Sequence, residues 1–562
     1  MEEKLKEELK RKAFAFALEN ALKHEGKALV EAVIPKLFRE GLKKEQLKEA
    51  VEIVKEIVEK VNSLSLEEQE KEFEKVAYLI KRPEKKEGLP ELPNAKKGKV
   101  VMRFAPFPSG PLHLGNAKTA ILNDEYCKKY QGKLLLVIDD TIGSEEKKIV
   151  EEAYRLIPEA LDWLNVKYEK PIIYKSDRLA IYYEYAKKLI ETGKAYVCFC
   201  DVETLRNNRT KGIECEHRNH SIEENLSYFD DMIKGKYKEG EAVLRIKTDM
   251  KHQNPAFRDR VLFRITERKH PRVKAKLWPL LEFSWAIDDY LLGITHILRG
   301  KDLMMESEME RYIWKVFGWK GPEIIHTGLI QVEGVKISKT KASKEVTTGS
   351  YFGWDDPRTF SIQSLRRRGF VPEAVRNFCL KLGVAEREPT VPIEVLYAEN
   401  KKYVEKSNRY FFVHDPVKIK IKGAPKLKAK LPLHPNYIER GYRNFRTEES
   451  FYITKDDFEK LKKGKVYRLM NLLNFVKNTH FSFISTKLDK SLDAKLIHWL
   501  PADEKQIVAC EVLMPDGSIK KGFAEKRVEL LKEGTIVQFE RFGFCRLDKK
   551  EKNKVCFWFA HK

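Results

Sequence analysis

His113 and Asn116 stand three residues apart in His113-Leu-Gly-Asn116, directly after a turn that contains Pro106, Pro108, Gly110 and Pro111. The apolar run Val100-Val101-Met102 leads into that turn, and a segment with Ala117 and Ala120 follows it. Strand, turn and helix in that order set backbone N–H groups and a helix N-terminus against an anion. The turn is not a P-loop, lacking G-x-x-x-x-G-K-[ST], and it is not a G-x-G-x-x-G dinucleotide fingerprint. Imidazole and amide donors at the helix mouth suit a nucleotide held without a lysine cradle. Far downstream, Lys336-Ile-Ser338-Lys339-Thr340 follows a Gly334 turn. Two lysines there can stabilise the charge of a triphosphate under attack.

A second chemistry lies in Cys198-x-Cys200 and Cys215-x-His217. Residues two apart on an extended segment face one side, so each pair aims its donors together. Three thiols and an imidazole suit tetrahedral zinc. The spacing is C-x-C and not the commoner C-x2-C, so reduced, buried cysteines without metal stay open as the other reading.

These groups need a frame, and the pattern supplies one. Strands are predicted at 100–104, 134–139 and 171–174, with helices at 116–130, 145–163 and 177–192. Such alternation argues an α/β, doubly wound parallel sheet. Ligands of such sheets sit at the carboxyl ends of strands, where Arg103 and Asp139-Asp140 fall. Residues 1–80 read as a helical extension, with Leu47, Ala50, Val51, Val54, Ile57, Val58 and Val61 at helical spacing. Residues 81–99, charged and Pro-rich, read as a linker. The sheet domain is expected over 100–192 and again over 279–340, interrupted by an insertion at 193–278 whose later part reads as basic and irregular. Residues 341–404 read as helical and carry the basic cluster Arg366–Arg368. Residues 405–562 turn to short β runs separated by turns such as Pro515-Asp-Gly517, the pattern of two β-barrels.

Charge is unevenly spread. The net charge is +23, yet residues 1–98 hold 22 Lys and Arg against 21 Asp and Glu, while residues 401–562 hold 36 against 20. A basic excess confined to one region suggests a polyanion there. A Lys/Glu-rich surface of heat-loving type would explain the charged fraction of 34%, but not this asymmetry. No window of about 20 apolar residues exists, which argues against a membrane span. The charged start lacks a signal-peptide apolar region, and scattered cysteines suit a reducing compartment, so a cytoplasmic location is expected.

The run R-F-A-P-x-P-S-G-x-L-H-x-G-N from Arg103 to Asn116, with V-K-I-S-K-T-K at 335–341, resembles the HIGH and KMSKS motifs of class I aminoacyl-tRNA synthetases. It is most similar to the glutamyl-tRNA synthetases in their archaeal form, over about residues 99–562. The resemblance implies a glutamate–tRNA ligase using ATP with Mg²⁺. Catalytic donors would be His113, Asn116, Lys336 and Lys339, with Pro108, Gly110, Gly115 and Ser338 also on ATP. The amino-acid pocket would comprise Arg103, Ala105, Phe107, Asp139, Leu281 and Arg299. There Asp139 faces the α-amino group and Arg299 the side-chain carboxylate, with Asp288-Asp289 in the same segment. Cys198, Cys200, Cys215 and His217 would be a structural zinc site. The insertion would hold the acceptor end of the tRNA, Arg366, Arg367 and Arg368 its stem, and the barrels with Arg541 its anticodon. The partners implied are tRNA(Glu) and, as in archaeal relatives, tRNA(Gln), with a protein partner at the N-terminal helices.

Departures from the family bear on the amino acid. Asn116 replaces a more usual second His, and Thr340 a final Ser. Phe107 stands where Ser or Asn is usual, Val137 where Arg is usual, and Leu281 where Tyr is usual; Asp139 is one methylene shorter than the usual Glu. A pocket with fewer polar groups discriminates less. Two other readings therefore stand beside glutamate: a synthetase of the same subfamily specific for glutamine, and a non-catalytic tRNA-binding relative. Arg299 favours glutamate over glutamine, since a neutral amide needs no guanidinium; His113, Asp139 and Lys339 argue against loss of catalysis.

Overall fold

The computed structural model describes residues 3–24, 26–40, 42, 44–80, 88–144, 148–333, 339–384 and 390–562. The chain divides into two compact units, Met1–Glu87 and Gly88–Lys562.

The first unit is helical: Glu3–Lys23, Val30–Arg39, Leu47–Asn62 and Leu66–Val76. Its core takes Ala13, Ala17, Val33 and Leu37 together with Ala50, Val54, Val58 and Val61 of the predicted spacing, while Leu47, Val51 and Ile57 stay half-buried. Ser65 and Glu68 form a reciprocal capping box that starts the last helix.

In the second unit a parallel sheet is built from β1 (Val101–Phe104), β2 (Lys133–Ile138), β3 (Glu169–Tyr174), β4 (His296–Gly300) and β5 (Glu323–Thr327). Its order is β3-β2-β1-β4-β5. The order reverses between β1 and β4, so the crevice for ligand opens at their carboxyl ends, beside Arg103 and Arg299. Helix α1 (Leu114–Tyr130) follows β1; α2 (Leu281–Leu291) precedes β4 and α3 (Met304–Phe317) follows it. The expected helix at 145–163 begins only at Ala153 and ends at Trp163. The reason lies in Val150, whose N–H donates to Pro108 O at 2.9 Å and so pins that stretch across the turn. Residues 145–147 lie outside the described residues.

The insertion is more regular than its composition suggested. Strands Ala195–Cys198, Val243–Ile246, Val261–Ile265 and Leu277–Pro279 form one antiparallel sheet, and helix Ile222–Ile233 packs nearby. Basic residues hid these strands: Arg245 is fully buried within one of them, and Arg264 interrupts another.

Beyond α4 (Ile362–Arg368) come helices Pro372–Leu382 and Ile393–Val404, then two seven-stranded sheets with separate cores. Phe451, Phe475 and Trp499 fill one, Phe412, Phe539 and Phe557 the other. The two are not consecutive in sequence. Strands Arg409–Tyr410 and Phe412–His414 pair with Ile536–Phe539 and Ile519–Glu525, so the chain enters the second sheet before it builds the first.

Candidate functional site

The turn after β1 is shaped around glycine. Gly110 takes φ +142, and a β-carbon there would come within 3.0 Å of the Trp354 ring. Helix α1 is capped by His113, whose Nδ1 accepts from Gly115 N–H at 3.1 Å. Asn116 completes a capping box, its Oδ1 accepting from His113 N–H at 3.5 Å. The two predicted donors are thus held together at one helix N-terminus, the place for an anion. Residues 361 and 362 lie alongside this loop, Ile362 N–H donating to Leu112 O at 2.9 Å. Lys336 and Ser338 lie outside the described residues, and Lys339 opens the helix Lys339–Thr347.

A buried charged cluster sits at the carboxyl ends of β1, β2 and β4. Arg103 makes two parallel bonds to Asp289, one of them Nη2 to Oδ2 at 2.9 Å. Arg299 donates from Nη1 to Glu310 Oε1 at 2.7 Å and to Ser307 Oγ at 3.2 Å. Its Nε and Nη2 are buried without a hydrogen-bond partner, Nη2 facing Asp289 Oδ2 at 4.0 Å. Asp139 lies 3.4 Å from Lys175 Nζ, which also donates to Ser284 Oγ at 3.0 Å. Trp285 joins the three cations: Arg103, Lys175 and Arg299 lie 4.9, 4.9 and 4.6 Å from its ring centroid. Its own indole N–H is buried without a partner. Burial lowers the Lys175 pKa, with Asp139 opposing, and pushes Glu310 up to about 6 against the pull of Arg299. Burial also works against Arg103, but Asp289 beside it prevails and raises its pKa.

The structure therefore brings Arg103, Asp139 and Arg299 into one charged cluster, but each already has an internal partner. Ala105, Phe107 and Leu281 are half-buried, and Asp140 is taken up by Ser176 and Tyr154. Sequence reasoning missed Lys175, Trp285 and Glu310. One signal existed: Leu281, Trp285 and Asp289 recur every four residues, which aligns them on one face of α2.

Cys198, Cys200, Cys215 and His217 also converge, with all four donor atoms within 4.8 Å of one another. The sulfurs of Cys198 and Cys200 lie 3.7 and 3.3 Å from that of Cys215, and His217 Nδ1 lies 3.6 Å from Cys200. Zinc–sulfur bonds of about 2.3 Å in a tetrahedron place sulfurs roughly 3.8 Å apart, so the set fits zinc. Arg245 Nη1 approaches Cys198 Sγ at 3.7 Å, a cation suited to a thiolate. Burial pushes the Cys200 and Cys215 thiols up, which a bound dication would reverse.

Of the arginines expected on tRNA, Arg366 and Arg541 are exposed. Arg367 grips Asp548 at 2.8 Å and Asp355 at 2.7 Å. Arg368 is fully buried and donates to Phe559 O and Ala560 O at 3.2 and 2.7 Å, so it serves the fold and not a surface. Arg541 is bidentate to Asp457 at 2.6 and 2.9 Å and also donates to His498 at 3.0 Å.

Three family models match in succession. The one described as tRNA synthetases class I (E and Q), catalytic domain, covers residues 99–406. Two described as the anti-codon binding domain of the same class cover 407–488 and 496–548. A protein of Pyrococcus furiosus named glutamate–tRNA ligase is 45% identical, matched over 99% of this chain and 100% of its own. Proteins of the same name from Pyrococcus abyssi and Methanocaldococcus jannaschii are 45% and 43% identical, each over 99% of this chain and 100% of their own.

Proposed function

The chain belongs to the class I tRNA synthetases of the E and Q type, and we propose that it attaches glutamate to tRNA(Glu) through a glutamyl-adenylate, releasing pyrophosphate and AMP. The observation that carries the amino acid is Arg299. Two of its N–H groups are buried and unbonded among cations stacked on Trp285. A side-chain carboxylate accepts both in parallel bonds. A carboxamide would offer one oxygen and turn an NH₂ against a guanidinium, which disfavours glutamine.

In this reading His113 and Asn116 hold the phosphates at the α1 terminus, and Lys336 and Lys339 stabilise charge as the α-phosphate is attacked. ATP enters with Mg²⁺ as its counter-ion. The α-carboxylate of glutamate forms the bond to the α-phosphorus and pyrophosphate leaves. The terminal ribose hydroxyl of the tRNA then attacks the adenylate carbonyl and AMP leaves. Asp139 receives the substrate ammonium, with Lys175 as its resting partner. Zinc on the Cys–His cluster would fix the insertion, Arg366 offers a cation to the tRNA stem, and the β sheets read the anticodon. Charging of tRNA(Gln) and a protein partner on the N-terminal helices belong to the same reading.

The test is pyrophosphate exchange into ATP with a panel of amino acids, with and without glutamate and glutamine tRNAs. Exchange that depends on glutamate and on tRNA(Glu) is expected. Exchange with glutamine alone would replace the amino acid, and no exchange by folded, tRNA-binding protein would overturn the activity.

A further inference from the structure

Lys118 is a lysine that the mechanism above does not use. It lies five residues after His113, in the second turn of α1, and is 2% exposed. Its ammonium donates to Thr327 Oγ1 and to Gly328 O, both at 3.2 Å. Among the described residues no carboxylate pairs with it, and burial lowers its pKa. A buried ammonium with neutral acceptors alone is costly. A methionine would fill the same space more cheaply if filling were the whole task.

The position of its two acceptors gives the task. Thr327 is the last residue of β5 and Gly328 the first beyond it. β5 is the edge strand, so no neighbouring strand on its outer side holds the chain where it leaves the sheet, until Gln331–Glu333 pair with Thr390–Pro392. Gly328 in turn lies eight residues before Lys336. One side chain from the helix of the first motif therefore grips the root of the segment that leads to the second. Displacing a reacting group by about 1 Å costs on the order of 10²-fold in rate, so such a grip matters to catalysis.

We propose that Lys118 is a positioning residue for adenylate formation, fixing the exit of β5 against α1 so that donors from the two motifs address one ATP. Its kinetic consequence rests on the ligase reading; its structural consequence does not.

The test compares full-length Lys118→Met, Lys118→Arg and Thr327→Val with the parent. In Lys118→Met, kcat for glutamate-dependent pyrophosphate exchange should fall on the order of 10²-fold, with KM for glutamate within about three-fold. Lys118→Arg, which keeps the charge and donors, should recover most of that loss. Thr327→Val should lose less, and combining it with Lys118→Met should add little. Hydrogen exchange of the free protein gives the second arm: amides of 328–333 should exchange at least about ten-fold faster in Lys118→Met, while those of β1 and β2 stay as in the parent. Unchanged rates and unchanged protection would overturn the proposal, and so would a loss that Lys118→Arg does not relieve. If the parent shows no exchange with any amino acid, the ligase reading fails, and protection of 328–333 still decides the role of Lys118. If Lys118→Met does not fold, Thr327→Val and Lys118→Arg carry both arms.

Discussion

Arg299 in the buried charged cluster and Arg541 at the junction of the two β sheets are both guanidiniums set among acids, and they end differently. Arg541 closes on itself: both terminal nitrogens reach Asp457, and one also reaches the His498 ring. Arg299 stays more open: Nη1 reaches Glu310, while Nε and Nη2 are buried without hydrogen-bond acceptors, Asp289 lying 4.0 Å from Nη2. A closed network holds elements together, whereas an open one is set to take up an anion, because an unsatisfied buried donor is costly until a ligand meets it. Equal chemistry therefore serves support in one place and, in the proposed reading, recognition in the other.

Replacing the open arginine should cost most. Arg299→Met should lower kcat/KM for glutamate by about 10³-fold or more, some 4 kcal/mol, in pyrophosphate exchange. A loss below ten-fold would place the substrate carboxylate elsewhere. At the closed site, Arg541→Met leaves the Asp457 carboxylate without its cation and should cost about 3 kcal/mol of stability, read as a lower urea midpoint. The titration behaviour of the two sites should run in opposite directions. Burial, helped by Arg541, holds His498 down to about 4 from 6.5, so the unfolded chain binds the extra proton. Stability from this group is present above pH 6.5 and lost as pH falls toward 4, by about 3 kcal/mol. Glu310 is pushed up to about 6 from 4.5, so its contribution is present below pH 4.5 and lost as pH rises through 6, by about 2 kcal/mol. Urea melts from pH 4 to 7 should show the acid loss flatten in His498→Gln and the opposing trend vanish in Glu310→Gln. The smallest effect is at the ring. Trp285→Phe keeps an aromatic face for the cations but removes the unpaired N–H together with part of the ring, so KM for glutamate should rise about five-fold, near 1 kcal/mol. No change would mean that the indole N–H does not meet substrate.

Much of this was legible without coordinates. Short-range patterns survive in sequence: the Pro/Gly turn before His113, the β1–β3 runs, and two cysteine-bearing pairs whose spacing aims each pair one way. Side-chain direction within a run of like residues does not survive. Arg366, Arg367 and Arg368 read as one basic cluster, yet one is exposed, one is clamped to Asp548 and one is fully buried. Nor could spacing show that Lys175, beyond β3, would meet Asp139 beyond β2, since their closeness depends on parallel neighbours in the sheet. The short start of the helix at Ala153 had the same origin, a long-range hydrogen bond from Val150 to Pro108 that local propensity does not contain.

The ring of Trp354 over Gly110 has a consequence for anyone building chimaeras of such proteins. The family boundary at 406/407 invites a cut there, exchanging the β-rich part between relatives. That cut would leave Arg367 and Arg368 facing foreign counterparts of Asp548, Phe559 and Ala560. Moving the seam upstream to about residue 348 carries both arginines with their partners, but takes the Trp354 cover away from the Gly110 turn. Helix α4 and the loop before it are thus shared property of the Gly110 turn and the far β sheet. A recombinant that keeps both intact has to transplant the second unit whole.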